Sequence, residues 1–89
     1  MLQDVGLREV REEGRRRRRE RFVAALAATK TPQAEVARKM HLDGHRTAAT
    51  TVNRWYVGTA NLDEDTLTYV LGLLGLPADW QPPPTSTPH

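Results

Sequence analysis

Apolar residues recur at helical spacing along four stretches of this chain, and nowhere do they alternate in the way a half-buried strand requires. Phe22, Val23, Leu26 and Ala27 fall at i, i+1, i+4 and i+5, one stripe on a helix expected over residues 15–30. Val36, Ala37 and Met40 form a second stripe, and Val52 with Trp55 a third, shorter one. Leu67, Val70, Leu71 and Leu74 repeat at i, i+3, i+4 and i+7 and define the last. The pattern predicts an all-α fold, a compact bundle of four to five short helices.

Local punctuation sets the expected boundaries. Thr31 is placed to cap the second helix, with Pro32 at its first position, where a missing N–H costs nothing. That helix is expected to run to about Met40, with a turn at His41–Leu42. Residues 43–48 read as a turn, because Asp43–Gly44 is a strong turn dipeptide and Thr47 can cap the third helix. Gly58 suits the end of the third helix, and Asp63 the cap of the fourth. Gly75 is expected to stop that helix, and Pro77 to prevent its resumption. Before all of these, residues 1–13 offer an amphipathic pattern with Leu2, Val5 and Val10, which Gly14 weakens. The expected division is an N-terminal extension over 1–14, a domain over 15–76 and a Pro-rich flexible tail over 77–89.

Composition narrows the function. The 89 residues allow one small domain, and the absence of cysteine removes disulfide frameworks and thiolate zinc sites. The start has no signal-peptide pattern, and no apolar run is long enough to span a bilayer, so a cytoplasmic, nucleoid-associated protein without membrane contact is expected. Net charge is only +2, yet Arg15–Arg19 are contiguous and Asp63–Asp65 are all acidic. Such asymmetry points to an anionic partner, with nucleic acid the usual one. The arginines have two readings. One is a solvated helix face, with Glu12–Arg16 and Glu13–Arg17 as i, i+4 pairs. The other is an arm meeting phosphates, since five adjacent side chains point all around a helix and cannot all be paired.

Residues 33–58 carry the most specific pattern. A short helix, a turn and a second short helix with Ala49, Thr50, Asn53 and Arg54 on its polar face match a helix-turn-helix, in which one helix braces another in the DNA major groove. The order and spacing over residues 15–76 resemble the lambda repressor/Cro family of DNA-binding domains. Gln33, Val36 and Ala37 match the start of the family's second helix. Met40 and Leu42 match the apolar positions around its turn, and Val52, Trp55 and Gly58 its recognition helix. The segment from Asp63 to Leu76 matches its fourth helix. The chain departs from the family in having His41 at a position usually occupied by glycine, and in about five extra residues, Asp43–Thr47, before the recognition helix.

The resemblance implies a sequence-specific regulator of transcription, a repressor, that binds double-stranded DNA without a cofactor. It assigns base contacts to Ala49, Thr50, Asn53 and Arg54, with Arg54 suited to guanine and Asn53 to adenine. It assigns phosphate contacts to Gln33, Thr59 and Asn61; Arg46, Thr47 and Tyr56 are further phosphate candidates on their position, and the arm reading adds Arg15, Arg16, Arg17, Arg18 and Arg19. Trp55 belongs to the core rather than to a base-stacking platform. Relatives commonly bind as homodimers with reading helices about 34–36 Å apart. Here Leu73, Leu76 and Trp80, or Leu2, Val5 and Val10, are the candidate dimer surfaces.

No catalytic constellation is legible, and an enzyme is not expected. His41, Asp43 and His45 make too weak a ligand set for a metal and read as turn residues. Two rivals remain. One is a phage- or plasmid-type module that holds a protein such as RNA polymerase through residues 1–21. The other is a nonspecific nucleic-acid binder driven by the arginine run.

Overall fold

The computed structural model describes the backbone of residues 2–83 and the side chains of residues 10–83. Over that span the chain is all helical. It comprises α1 (Leu2–Ala28), α2 (Gln33–Leu42), α3 (Ala49–Val57) and α4 (Glu64–Leu73). No strand occurs among the described residues.

The core is one apolar cluster fed by all four helices. Phe22, Ala25 and Leu26 come from α1, Val36, Ala37 and Met40 from α2, and Val52 from α3. Leu62 before α4 and Leu67, Val70 and Leu71 within it complete the set. Phe22 is fully buried, and its ring stands edge-on to Trp55 at 6.2 Å and to Tyr56 at 6.5 Å, the arrangement aromatic quadrupoles favour. These contacts seat α3 on α1. Trp55 thus belongs to the fold, half-buried against the core.

Several boundaries differ from expectation. α1 runs unbroken through Gly14 for 27 residues. A lone glycine costs a helix only about 1 kcal/mol, and the Arg- and Glu-rich turns on both sides outweigh it. Its buried stripe is Phe22, Ala25 and Leu26, with Val23 half-buried and Ala27 exposed. The helix ends at Ala28, two residues early, because Lys30 takes a left-handed conformation at φ 53° and Thr31 N–H returns to Leu26 O. Pro32, not Thr31, is the N-cap of α2, and no side chain caps that end. His41 and Leu42 are the last turn of α2 rather than a turn after it. Ala48 takes the N-cap of α3 in place of Thr47, again without a side-chain bond.

Other expectations hold. α3 closes on Gly58 at φ 90°, and Asp63 Oδ1 accepts from the Thr66 N–H at 2.7 Å to cap α4. After Gly75, residues 77–83 do not hang free. Trp80 packs against the core, and Arg21 donates to Trp80 O at 3.1 Å and to Ala78 O at 2.9 Å. Burial of Trp80 and the carbonyls it brings with it fastens what composition alone marks as tail. Residues 84–89 lie outside the described residues, as do the side chains of Leu2 and Val5, while Val10 is exposed.

Candidate functional site

α3 is amphipathic at helical pitch, and this sets its outer face. Val52 is buried and Trp55 and Tyr56 turn inward, so Ala49, Thr50, Asn53 and Arg54 all face solvent. Arg54 is adjacent in sequence to Trp55 and points away from the core. Short side chains at the start of the helix leave its first turn uncrowded.

One hydrogen bond ties this face to a second helix. Asn53 Nδ2 donates to Gln33 Oε1 at 2.8 Å, across 20 residues of sequence. Gln33 is the first residue of α2, so the exposed face of α3 and the N-terminal end of α2 form one continuous polar surface. The bond leaves Asn53 Oδ1 and the Gln33 amide nitrogen without a hydrogen-bond partner among the described residues. Beside them, Lys30, Thr31, Gln33 and Tyr56 line a shallow groove. Sequence alone gives no reason to single out Lys30. Its signal is only three-dimensional, because the left-handed turn that ends α1 swings it toward Gln33.

The connection between α2 and α3 is held in place from outside. Tyr69 Oη donates to Asp43 Oδ2 at 2.7 Å, and the His45 ring lies 4.5 Å from the Tyr69 ring. Desolvation, then the Asp43 hydrogen bond, push the Tyr69 phenol up to about 12. The pinned connection exposes Arg46 and half-buries Thr47. Asp43 and His45 engage in this packing, and no group of three potential metal-ligating residues occurs among the described residues.

Beyond α3, Thr59 and Asn61 are exposed, and Asn61 Oδ1 accepts from Arg18 Nη2 at 3.3 Å. The arginine run divides by function within the fold. Arg18 Nε donates to Leu62 O at 2.6 Å and Arg19 Nε to Tyr56 O at 2.8 Å, so both fasten α1 to the chain around α3. Arg16 and Arg17 share Glu13, at 2.5 and 3.3 Å, and Glu12 takes no part. Among the described residues, Arg15 alone of the five has no such partner. Four of the five thus find a partner within the chain and one does not. On the outer side of α2, the Arg38 hydrogen bond holds the Glu35 carboxyl below its usual range.

No helix among the described residues is long and apolar enough to cross a membrane. Comparison with protein-family models, with curated proteins and with solved structures gave no significant match to this chain.

Proposed function

We propose that this chain is a sequence-specific, double-stranded DNA-binding transcriptional regulator, a repressor, that works at the nucleoid. In this reading α2 and α3 act as a helix-turn-helix with a lengthened connection, and α3 lies in the major groove. The observation that carries the proposal is the Asn53–Gln33 hydrogen bond. It orders two exposed amides that would otherwise rotate freely, and does so on the one helix face that also presents Ala49, Thr50 and Arg54. Ordering before contact lowers the entropic cost of reading a base edge.

Arg54 pairs with guanine O6 and N7, and Asn53 with adenine, each worth about 1–3 kcal/mol of discrimination. Ala49 and Thr50 pack against thymine methyls. Gln33, Lys30 and Tyr56 meet one phosphate strand. Arg46 and Thr47 meet it near the start of α3, and Thr59 and Asn61 meet it beyond the end of that helix. The α1 arginines supply a positive field that speeds encounter without needing individual contacts. Binding as a homodimer on a two-fold site is part of the same proposal, with Leu73, Leu76 and Trp80 the dimer surface to be tested.

Selection from a random duplex library, followed by titration of the enriched site at two salt concentrations, tests this. Arg54→Ala should erode the preference for the enriched site over scrambled DNA by about tenfold or more. Arg17→Ala should weaken both sequences alike. Equal affinity for all duplexes with a steep salt dependence would replace the proposal with nonspecific binding.

A further inference from the structure

α1 carries a second surface besides the one described above. Where it passes the loop after α3, a cleft of about 460 Å³ opens, lined by Glu12, Arg15, Arg16, Arg19, Val57 and Asn61, with Gly58 at its floor. None of the α3 residues assigned above to base contact lines it.

Two properties define what fits. The first is charge. Three guanidinium groups face one carboxylate, and Arg15 is free of any partner among the described residues. Arg19 is held by its Nε on Tyr56 O, so the Nη groups at its end are left to bind elsewhere. Arg19 passes close over Gly58, where an added Cβ would meet Arg19 Cδ at 3.1 Å. The second property is apolar. Val57 is 50 % exposed at the last turn of α3, one of three large hydrophobic residues so exposed among the described residues, and it lines the cleft with the arginines.

A bare phosphate satisfies only the first property. It would leave Val57 in water and set its own charge against Glu12. A carboxylate next to an aliphatic side chain satisfies both, because it meets the guanidiniums while the hydrocarbon covers Val57. We propose that this cleft docks an acidic peptide segment of a partner protein, in which aliphatic residues alternate with Asp or Glu. The aliphatic side chain lies on Val57, and the carboxylates pair with Arg15, Arg16 and the unbonded Nη groups of Arg19. Docking here does not depend on DNA binding, and the two can fail separately.

The test uses the full chain and a fluorescein-labelled Glu-Leu-Asp-Leu-Glu peptide as probe. A serine-for-leucine version, sodium tripolyphosphate and a random-sequence duplex serve as comparators. Nuclear magnetic resonance with the leucine probe should shift the Val57 methyls and the Arg15 and Arg16 Nε–H signals. Probe affinity should fall about tenfold in Val57→Ser and in Arg15→Glu, and change less than about twofold in Arg17→Glu, which alters net charge equally outside the cleft. Circular dichroism melts confirm that each variant is folded. Absence of shifts, or equal binding of the serine version, overturns the proposal. So does tighter binding of tripolyphosphate or duplex at the same residues, which would make the cleft a phosphate site. A Val57-dependent dimer in sedimentation would give the surface to a second copy of this chain and also overturn it.

Discussion

Replacing Gly58 with alanine separates backbone strain from a tertiary contact. Gly58 sits at φ 90°, ψ 12°, a left-handed conformation that costs an L-residue about 1–2 kcal/mol. Alanine recovers about 0.4–1 kcal/mol by restricting the unfolded chain. Strain alone therefore amounts to about 1 kcal/mol. Gly75 provides this case in isolation, since its φ is 80° and an added Cβ would meet nothing within 4 Å.

At Gly58 the added carbon would approach Arg19 Cδ at 3.1 Å and Nε at 3.2 Å. Arg19 must then slide away from Tyr56 O, its acceptor at 2.8 Å. A hydrogen bond from a charged donor is worth about 1.5–3 kcal/mol, and a shifted side chain forfeits part of it. Gly58→Ala should thus cost about 2–3 kcal/mol against about 1 for Gly75→Ala. For a domain of this size the larger figure is a sizeable share of a total stability of about 4–13 kcal/mol. Urea unfolding followed by far-UV circular dichroism measures both. In an Arg19→Gln background the two glycine substitutions should cost the same. Equal costs in the natural background, or a difference that survives Arg19→Gln, would refute the coupling.

Arg21 anchors residues 77–83, its side chain only 11 % exposed and bonded to Glu64 as well as to the Ala78 and Trp80 carbonyls. Arg21→Met should cost about 2–3 kcal/mol and raise acrylamide quenching of tryptophan fluorescence as Trp80 loosens. Tyr69→Phe removes the Asp43 bond but keeps the His45 contact, so amide exchange should accelerate at Gly44 and His45 while the α4 amides stay protected. Asp63 is held below its ordinary value of 3.8, first by its hydrogen bonding with Thr66. A depressed carboxylate stabilises the fold above its unfolded pKa and loses that contribution as pH falls through the folded value. Stability should therefore decline below about pH 4, and Asp63→Asn, which keeps a capping oxygen, should flatten part of that decline.

What sequence makes legible is local. The end of α3 at Gly58 and the Asp63 cap of α4 follow from signals a few residues wide. So does the separation of Arg54 from Trp55, which one step of helical rotation dictates. What stays hidden depends on distant partners. Arg18, Arg19 and Arg21 find their acceptors 44, 37 and 59 residues away, and no pattern near Arg15–Arg19 announces that two of its members are tethers. The phase of α1 misleads because Ala25, a small residue, is buried while the larger Val23 is only half-buried. Gly14 misleads for the opposite reason, since a rule about one residue meets a helix of 27. The Asn53–Gln33 bond joins two residues that sequence marks separately, but their pairing needs the fold.

The length of α1 has a mechanical consequence. At about 1.5 Å per residue, 27 residues make a rod near 40 Å long, rooted in the core at Phe22. Arg18 and Arg19 are the brackets that bolt this rod to the chain on either side of Gly58. A load applied near Val10 would reach those brackets as torque, multiplied by the lever arm, rather than being absorbed in a hinge. The carbonyls they grip belong to the end of α3 and to Leu62 before α4. Whatever takes hold of α1 near Val10 therefore pulls on the setting of α3, and a break engineered at Gly14 would disconnect that handle from the brackets.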